Sequence, residues 1–251
     1  MRDRHRDGRE EGTTAARFHT SLARSEAEIR EAQQLRYRVF LAGDHAPHDP
    51  GVDRDRFDGF CEHLLVRDRS TQAVVGTYRI LGGEQARQAG GFYSESEFDL
   101  GRILAVGARI VELGRACVDP AYRTGSVIAR LLTGVTTHVV AAKYDYVIGC
   151  ASVSAATDLR AATHVCRQLL GLHLGPDAWR VYPHRPFAVE STVAAGQPTL
   201  PPLIKAYLRL GAVVCGTPAW DPVFQTADLL MMLPLVSMAP RYRARLLRRA
   251  A

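Results

Sequence analysis

The sequence predicts an α/β (α+β) fold: a mixed, mostly antiparallel central sheet flanked by helices. Two observations carry the prediction. Apolar-rich runs at 62–67 and 73–81, separated by the polar Asp68-Arg69-Ser70-Thr71-Gln72, read as an antiparallel hairpin. A strand over 109–120, a helix after it and a second apolar run at 144–153 read as a crossover between neighbouring strands. Strands and helices alternate with no long polar break between them, which predicts one domain rather than two.

Residues 1–20 are rich in Arg, Asp, Glu and Gly and nearly free of apolar side chains, the composition of a disordered tail. Ser25-Glu26-Ala27-Glu28 is a capping box opening a helix to about Leu41, with Leu35, Val39 and Phe40 on its core face. The polar residues 44–58 read as a loop. After the hairpin, 82–94 is glycine-rich and reads as mobile, and 96–104 allows a short helix. In the strand at 109–120, Glu112 and Arg115 interrupt the apolar alternation, and Pro120, lacking an N–H, ends the ladder. Val127, Ile128, Leu131, Leu132, Val135, Val139 and Val140 then recur at helical spacing, an amphipathic helix of about four to five turns. The compact apolar run at 144–153 reads as a buried strand. Thr157 or Asp158 caps a further helix to about Leu170, and 171–200 is proline-rich with little periodicity. A helix over 201–210, opened by proline and closed by Gly211, precedes the last strands at 212–216 and 227–235.

The 251 residues carry 47% hydrophobic and 23% charged side chains, ordinary for a globular protein. Most of the net charge of +6 lies in the last residues, where Arg241, Arg243, Arg245, Arg248 and Arg249 stand with no acid among them. Such a tail suits an acidic partner (a membrane surface, an acidic protein or nucleic acid), or is simply a solvated terminal helix. Five widely spaced cysteines without a C-x-x-C pair point to a reducing compartment, hence the cytoplasm, and away from a metal site. No apolar run reaches membrane-spanning length, and the charged N-terminus has no signal-peptide core.

A carboxylate inside an apolar strand is costly unless it is paired or used. Glu112 therefore reads either as a general base or as half of a buried ion pair with Arg115 or Arg79. Residues three apart on a regular strand face opposite ways, so Glu112 and Arg115 serve one site only across a bulge, most naturally at Gly114. Gly125 lets backbone N–H groups and a helix N-terminus face an anion, or is a plain turn glycine. Cys117 reads as a small core residue, His63 as a packed core histidine, Asp221 as a turn former and Asp228 as an internal cap.

Glu112-Leu113-Gly114-Arg115, Tyr122-Arg123-Thr124-Gly125 and Ala219-Trp220-Asp221-Pro222, with the stretches at 35–40, 57–63, 75–81, 91–98 and 144–150, resemble the GCN5-related N-acetyltransferase (GNAT) superfamily. More narrowly the chain resembles bacterial ornithine-lipid N-acyltransferases and their haemolysin-like relatives, over roughly residues 25–240. The resemblance implies a GNAT-like sheet with a splayed, bulged strand. Its N–H groups at Cys117 and Val118 would bind pantetheine and stabilise the tetrahedral oxyanion. It implies an acyltransferase that moves a 3-hydroxylated fatty acyl group from acyl carrier protein to the α-amine of an amino acid such as ornithine, in lipid biosynthesis. Glu112 and Arg115 would be catalytic. Arg123, Thr124, Gly125 and Ser126 would hold the donor phosphate. This loop is shorter than the superfamily's and suits the single phosphate of phosphopantetheine better than the diphosphate of CoA, with a CoA thioester as the alternative donor. No permanently bound cofactor is implied. Asp58 and Glu62 would take the substrate's side-chain ammonium, and Arg36 or Arg79 its carboxylate, although Arg36 could equally be an exposed helix residue.

Arg36, Phe40, Asp58, Arg79, Glu112 and Arg115 also resemble spaced positions of acyl-homoserine-lactone synthases. Cys61 stands where those enzymes carry a second acid, and a tryptophan expected shortly after Phe40 is absent, so S-adenosylmethionine is not expected as substrate. The organisation expected is a tail at 1–20, an acyltransferase-like domain at 21–240 with an insertion at 157–200, and a basic tail at 241–251. The insertion would cover an acyl tunnel or simply stabilise the fold. Acyl carrier protein would dock near Arg123, and the basic tail would meet acidic lipid at the inner face of the membrane; nucleic acid is not expected as a partner. Two other readings stand beside this one: an acetyl-CoA-dependent small-molecule N-acetyltransferase, and a non-catalytic binder of acyl chains.

Overall fold

The computed structural model describes residues 17–41, 51–189 and 199–238. Where the sequence predicts one domain, the chain divides into two compact units that interleave along it. Of the described residues, one unit comprises those up to Ile80 with Gly114–His138; the other comprises Leu81–Leu113 and those from Val139 onward.

In the first unit, β1 (Phe18–Leu22) pairs antiparallel with β2 (Glu62–Asp68), Phe18 opposite Asp68 and Leu22 opposite Leu64. The hairpin partner of β2 is β3 (Val74–Gly82), with Glu62 opposite Ile80 and a bulge between Val66 and Arg67. The neighbour of β3 is β5 (Ile110–Val118), whose second half lies in this unit. Helix α1 (Glu26–Arg36) starts where the N-cap Ser25 Oγ accepts the Glu28 N–H, satisfying one orphan donor of its first turn, while Glu28 Oε2 reaches back to accept the N–H of Arg24, the residue before the cap. It continues as a π-type turn over Tyr37–Leu41. Its apolar face packs Ala32 and Leu35 with Leu65, Val74 and Cys117 of the sheet.

In the second unit, β6 (Tyr146–Ser154) and β10 (Thr226–Pro234) form a nine-residue antiparallel ladder, and every residue of β10 is buried. The short strands β8 (Val213–Val214) and β9 (Ala219–Asp221) both pair antiparallel with β10. The first half of β5 runs parallel to β6, and that pairing ends at Glu112 opposite Ile148. A side chain at Gly149 would collide with the Leu113 carbonyl, so the glycine permits this close approach where the pairing stops. Helix α5 (Leu159–His173) is capped by Asp158 and buries Ala162, Val165, Cys166 and Leu169. Helix α4 (Ser126–Ala141) makes the crossover between β5 and β6. The remaining elements are α2 (Gly83–Gln88), β4 (Phe98–Asp99), α3 (Gly101–Leu104), β7 (Tyr182–Pro183), which pairs with β4, and α6 (Pro202–Leu210). The sheet is mixed and mostly antiparallel, with helices flanking it, as the sequence predicts.

Several boundaries differ. Residues 18–20, predicted to be part of a disordered tail, belong to β1, an edge strand too short and too polar to show alternation. The glycine-rich stretch predicted to be mobile contains α2 and leads into a 3-10 turn over Tyr93–Ser96. Residues 157–189 of the insertion hold α5 and β7. The rest of the N-terminal tail, part of the 44–58 loop, residues 190–198 of the insertion and the basic tail lie outside the described residues.

Candidate active site

Glu112 closes the parallel pairing of β5 and is 4% exposed. Its Oε2 accepts the Tyr93 N–H at 2.6 Å and its Oε1 the Ser94 N–H at 2.9 Å. These donors open the Tyr93–Ser96 turn, whose first amides have no carbonyl of their own to bond. Glu95 Oε2 takes the preceding amide, Phe92 N–H, at 2.5 Å. The sequence offers an arginine as the structural alternative for Glu112; the structure adds these backbone amides.

The strand departs from regular geometry beside it, but at Arg115 (φ +51°) rather than at Gly114. Left-handed backbone is uncommon for a side chain of this size and marks a position held by its surroundings. Arg115 lies 3.3 Å from Asp53 and 3.5 Å from Asp55. Arg36 pairs with Asp53 at 2.9 Å and Asp58 at 2.8 Å, and also donates to the Asp53 carbonyl. Arg79 pairs with Asp55 at 2.7 Å and lies 3.7 Å from Asp58. Arg36 is 1% exposed, which corrects the reading of it as a solvated helix residue. The sequence singled out Arg36, Asp58, Arg79 and Arg115, and the structure gathers them. Asp53 and Asp55 were missed, because a loop aspartate looks the same in sequence whether it faces water or a buried guanidinium.

Three guanidiniums therefore meet three carboxylates, so Asp58 is not an open acceptor for a ligand ammonium. Burial alone would raise Asp55, but Arg79 and Arg115 outweigh it and hold its carboxyl below the usual range. His63 is 1% exposed, with Nε2 3.1 Å from the Asp58 carbonyl. Burial lowers its pKa more than Asp58 raises it, so it is a neutral packed histidine, as the sequence suggests. Glu62 is exposed and lies 2.9 Å from His138, apart from this cluster.

Past β5, Asp119 caps a short turn by accepting the Ala121 N–H, and Arg123 Nε donates to the Val118 carbonyl at 3.3 Å. Thr124 and Ser126 hydroxyls are 3.0 Å apart, and Gly125 adopts φ +90° immediately before α4. Arg123, Thr124 and Gly125 are exposed at the N-terminus of a 16-residue helix, an arrangement open to an anion. Cys117 is 2% exposed and burial pushes its thiol up to about 12, so its side chain is a core residue and not an acyl carrier.

A second acidic group went unrecognised in the sequence. Tyr93, Ser96, Glu97, His184, Arg185, Trp220 and Asp221 line a cleft of about 420 Å³. Glu97, Asp221 and the buried Asp228 bring carboxylate oxygens within 4.8 Å of one another. Burial, then Asp228 and Asp221, push Glu97 up to about 8; the neighbouring Tyr93 and Cys150 side chains ease its charge by less. Asp221 also accepts the Val223 and Phe224 N–H groups, the turn role the sequence assigns it. Asp228 accepts the Thr226 hydroxyl at 2.9 Å, and burial raises its pKa too. Asp221 and Asp228 lie on the paired strands β9 and β10, and Glu97, far earlier in the sequence, joins them from outside that pairing, which no local pattern encodes.

Residues 35–133 match the model of the acetyltransferase (GNAT) domain family. The chain is 36% identical over 250 residues to an L-ornithine N(alpha)-acyltransferase of Rhizobium meliloti (strain 1021), covering 90% of this chain and 83% of that one. It is 38% identical over 248 residues to the protein of the same description from Agrobacterium fabrum, with the same coverage of each. Among solved structures, it resembles FeeM, an N-acyl amino acid synthase from uncultured soil microbes, with TM-score 0.55 and 14% identity over 91% of this chain and 94% of that one. A CoA-dependent acyl-homoserine lactone synthase, BjaI, gives TM-score 0.54 and 14% identity over 93% and 89%. At these identities the structural neighbours show a shared fold.

Proposed function

We propose, for an acyltransferase chain that belongs to the L-ornithine N(alpha)-acyltransferase family, that it moves a 3-hydroxy fatty acyl group from acyl carrier protein to the α-amine of ornithine. In this reading the α-ammonium loses its proton to Glu112, directly or through one water, because only the free amine attacks a thioester. The free amine adds to the thioester carbonyl to form the N–C bond and a tetrahedral oxyanion. As this collapses the C–S bond breaks, the nitrogen's second proton goes to the pantetheine thiolate, and Glu112 releases the first proton to solvent. The oxyanion is stabilised by the backbone N–H groups of Cys117 and Val118 on β5. The Arg123-Thr124-Gly125-Ser126 turn holds the donor phosphate. Arg36, Asp58, Arg79 and Arg115 stiffen this half of the fold through their mutual pairing, and Glu62 has no substrate role.

The observation that carries the reading is Glu112: a 4%-exposed carboxylate at the end of the parallel pairing, clasped by the N–H of Tyr93, a residue that lines the cleft. In this reading the reaction belongs to lipid biosynthesis, at the inner face of the membrane. No helix among the described residues is long and apolar enough to cross a membrane. The test supplies purified protein and L-ornithine with equal concentrations of a 3-hydroxyacyl carrier protein and the matching CoA thioester, and follows N-acylornithine by mass spectrometry. Faster turnover of the carrier-bound donor is the expected result. Preference for CoA would overturn the donor assignment, and no N-acylornithine from either would overturn the reaction.

A further inference from the structure

We propose that helix α5, residues 172–182 and helix α3 form a surface of the second unit that docks on an anionic lipid bilayer. This rests on the membrane location in the reading above and names the face that meets it; the test does not depend on turnover.

The surface is built along β8. Leu174 bridges Val214 and Val181 bridges Gly216, both in the parallel sense, so the two ends of a looped-out stretch stand close together on one sheet edge. Arg180 closes that loop, donating to the Gly175 carbonyl at 3.2 Å and to Asp177 at 2.7 Å. The pairing of β4 with β7 sets Asp99 opposite Tyr182, and Arg102 of α3 lies over the Tyr182 ring, 5.6 Å from its centroid. Arg102 also donates to the Asp177 carbonyl at 3.0 Å. The apolar side chains on this framework are left to solvent: Leu172 is 70% exposed, Tyr182 54%, Leu174 44%, Leu104 40% and Val106 39%. A single exposed leucine needs no explanation. Leucines beside a tyrosine that carries a guanidinium on its face have the makeup of a membrane–water interface.

The charge agrees. On α5, Arg160, His164 and Arg167 recur at four and three residues, one helix face, opposite the buried Ala162, Val165, Cys166 and Leu169. Both arginines are exposed. Residues 159–189 hold four arginines and one acid, Asp177, which Arg180 pairs at 2.7 Å. Asp99, the acid nearest α3, accepts the Gly101 N–H as a cap. Arginines draw such a face to anionic headgroups, and Leu172 and Leu174 then enter the acyl boundary. An acidic protein would also suit the arginines, but it must supply a pocket for each protruding leucine, whereas a bilayer accepts them at any spacing.

The experiment sediments the full chain with vesicles of phosphatidylglycerol and phosphatidylcholine, and with phosphatidylcholine alone. It compares the wild type with Leu172→Asp/Leu174→Asp and Arg160→Glu/Arg167→Glu, the fold of each checked by thermal melt. The wild type should partition onto the anionic vesicles, less so at high salt, and each pair of substitutions should lower that partition at least about tenfold. Folded variants that bind as the wild type does would overturn the proposal, as would a wild type that ignores anionic vesicles. Substitutions that spare vesicle binding but abolish capture of acyl carrier protein would assign the face to an acidic protein and also overturn it. Hydrogen exchange of the wild type with and without anionic vesicles decides the matter independently of variant folding. Slower exchange in 98–106 and 159–183 supports the surface, and protection that leaves both stretches unchanged refutes it. Failure to form N-acylornithine is a separate result, bearing on the reaction alone.

Discussion

Glu97→Gln should remove a pH dependence from the stability of the protein. Burial, Asp228 and Asp221 raise Glu97 from an ordinary 4.5 to about 8. Between those values the native carboxyl keeps a proton that the unfolded chain has released. Unfolding then releases a proton, and stability falls as pH rises through this window, is full below 4.5 and is flat above 8. Between pH 5 and pH 9, about three pKa units of the shift are traversed, or roughly 4 kcal/mol at about 1.36 kcal/mol per unit. For a chain of this size that is roughly 8–16 °C in Tm. The glutamine variant has no proton to lose, and Asp228 is relieved of a neighbour, so the difference between the two proteins reports the pair rather than one site. Urea unfolding and thermal melts at pH 5, 6, 7, 8 and 9 provide the comparison. The wild type should weaken relative to the variant as pH rises. Parallel curves across that range would refute the claim that Glu97 is held neutral in the fold.

Glu112→Gln turns one acceptor into an amide donor facing the Tyr93 or Ser94 N–H; turnover should fall about 10²–10⁴-fold with the fold retained, and normal turnover would remove Glu112 from proton transfer. Asp58→Asn removes a charge shared by Arg36 and Arg79 in a buried cluster, and denaturant unfolding should show a loss of about 3–5 kcal/mol. Gly149→Ala sets a methyl against the Leu113 carbonyl and should cost about 1–3 kcal/mol in the same measurement, with a solvent-facing Gly171→Ala as the neutral control.

The elements that declare themselves over ten or more residues were legible in the sequence: α1 through its capping box, α4 through its periodicity, and the β2–β3 hairpin through its polar turn. β1, β7 and β9 were not, because two to five residues on a sheet edge show no period. The Arg36–Arg79–Arg115 half of the polar cluster could be read because arginine in an apolar strand or on a helix core face demands a partner. The partners Asp53 and Asp55 could not, since a loop hides which of its acids turn inward. Glu97 was invisible for a different reason: its character comes from burial and from Asp228 and Asp221, which lie far from it in sequence and beside it in the fold.

The interleaving of the two units constrains how the nascent chain can mature. The hairpin of β2 and β3 leaves the ribosome well before the second half of β5, its neighbour in the same unit. Its open edge must wait for residues 114–118 to be synthesised. The second unit waits longer, since β6 gains its long antiparallel partner only with the last described strand, β10. Neither unit is a contiguous fragment that can be excised and expressed alone, so dissection must keep the whole chain. Folding of the second unit can finish only once β10 has been synthesised.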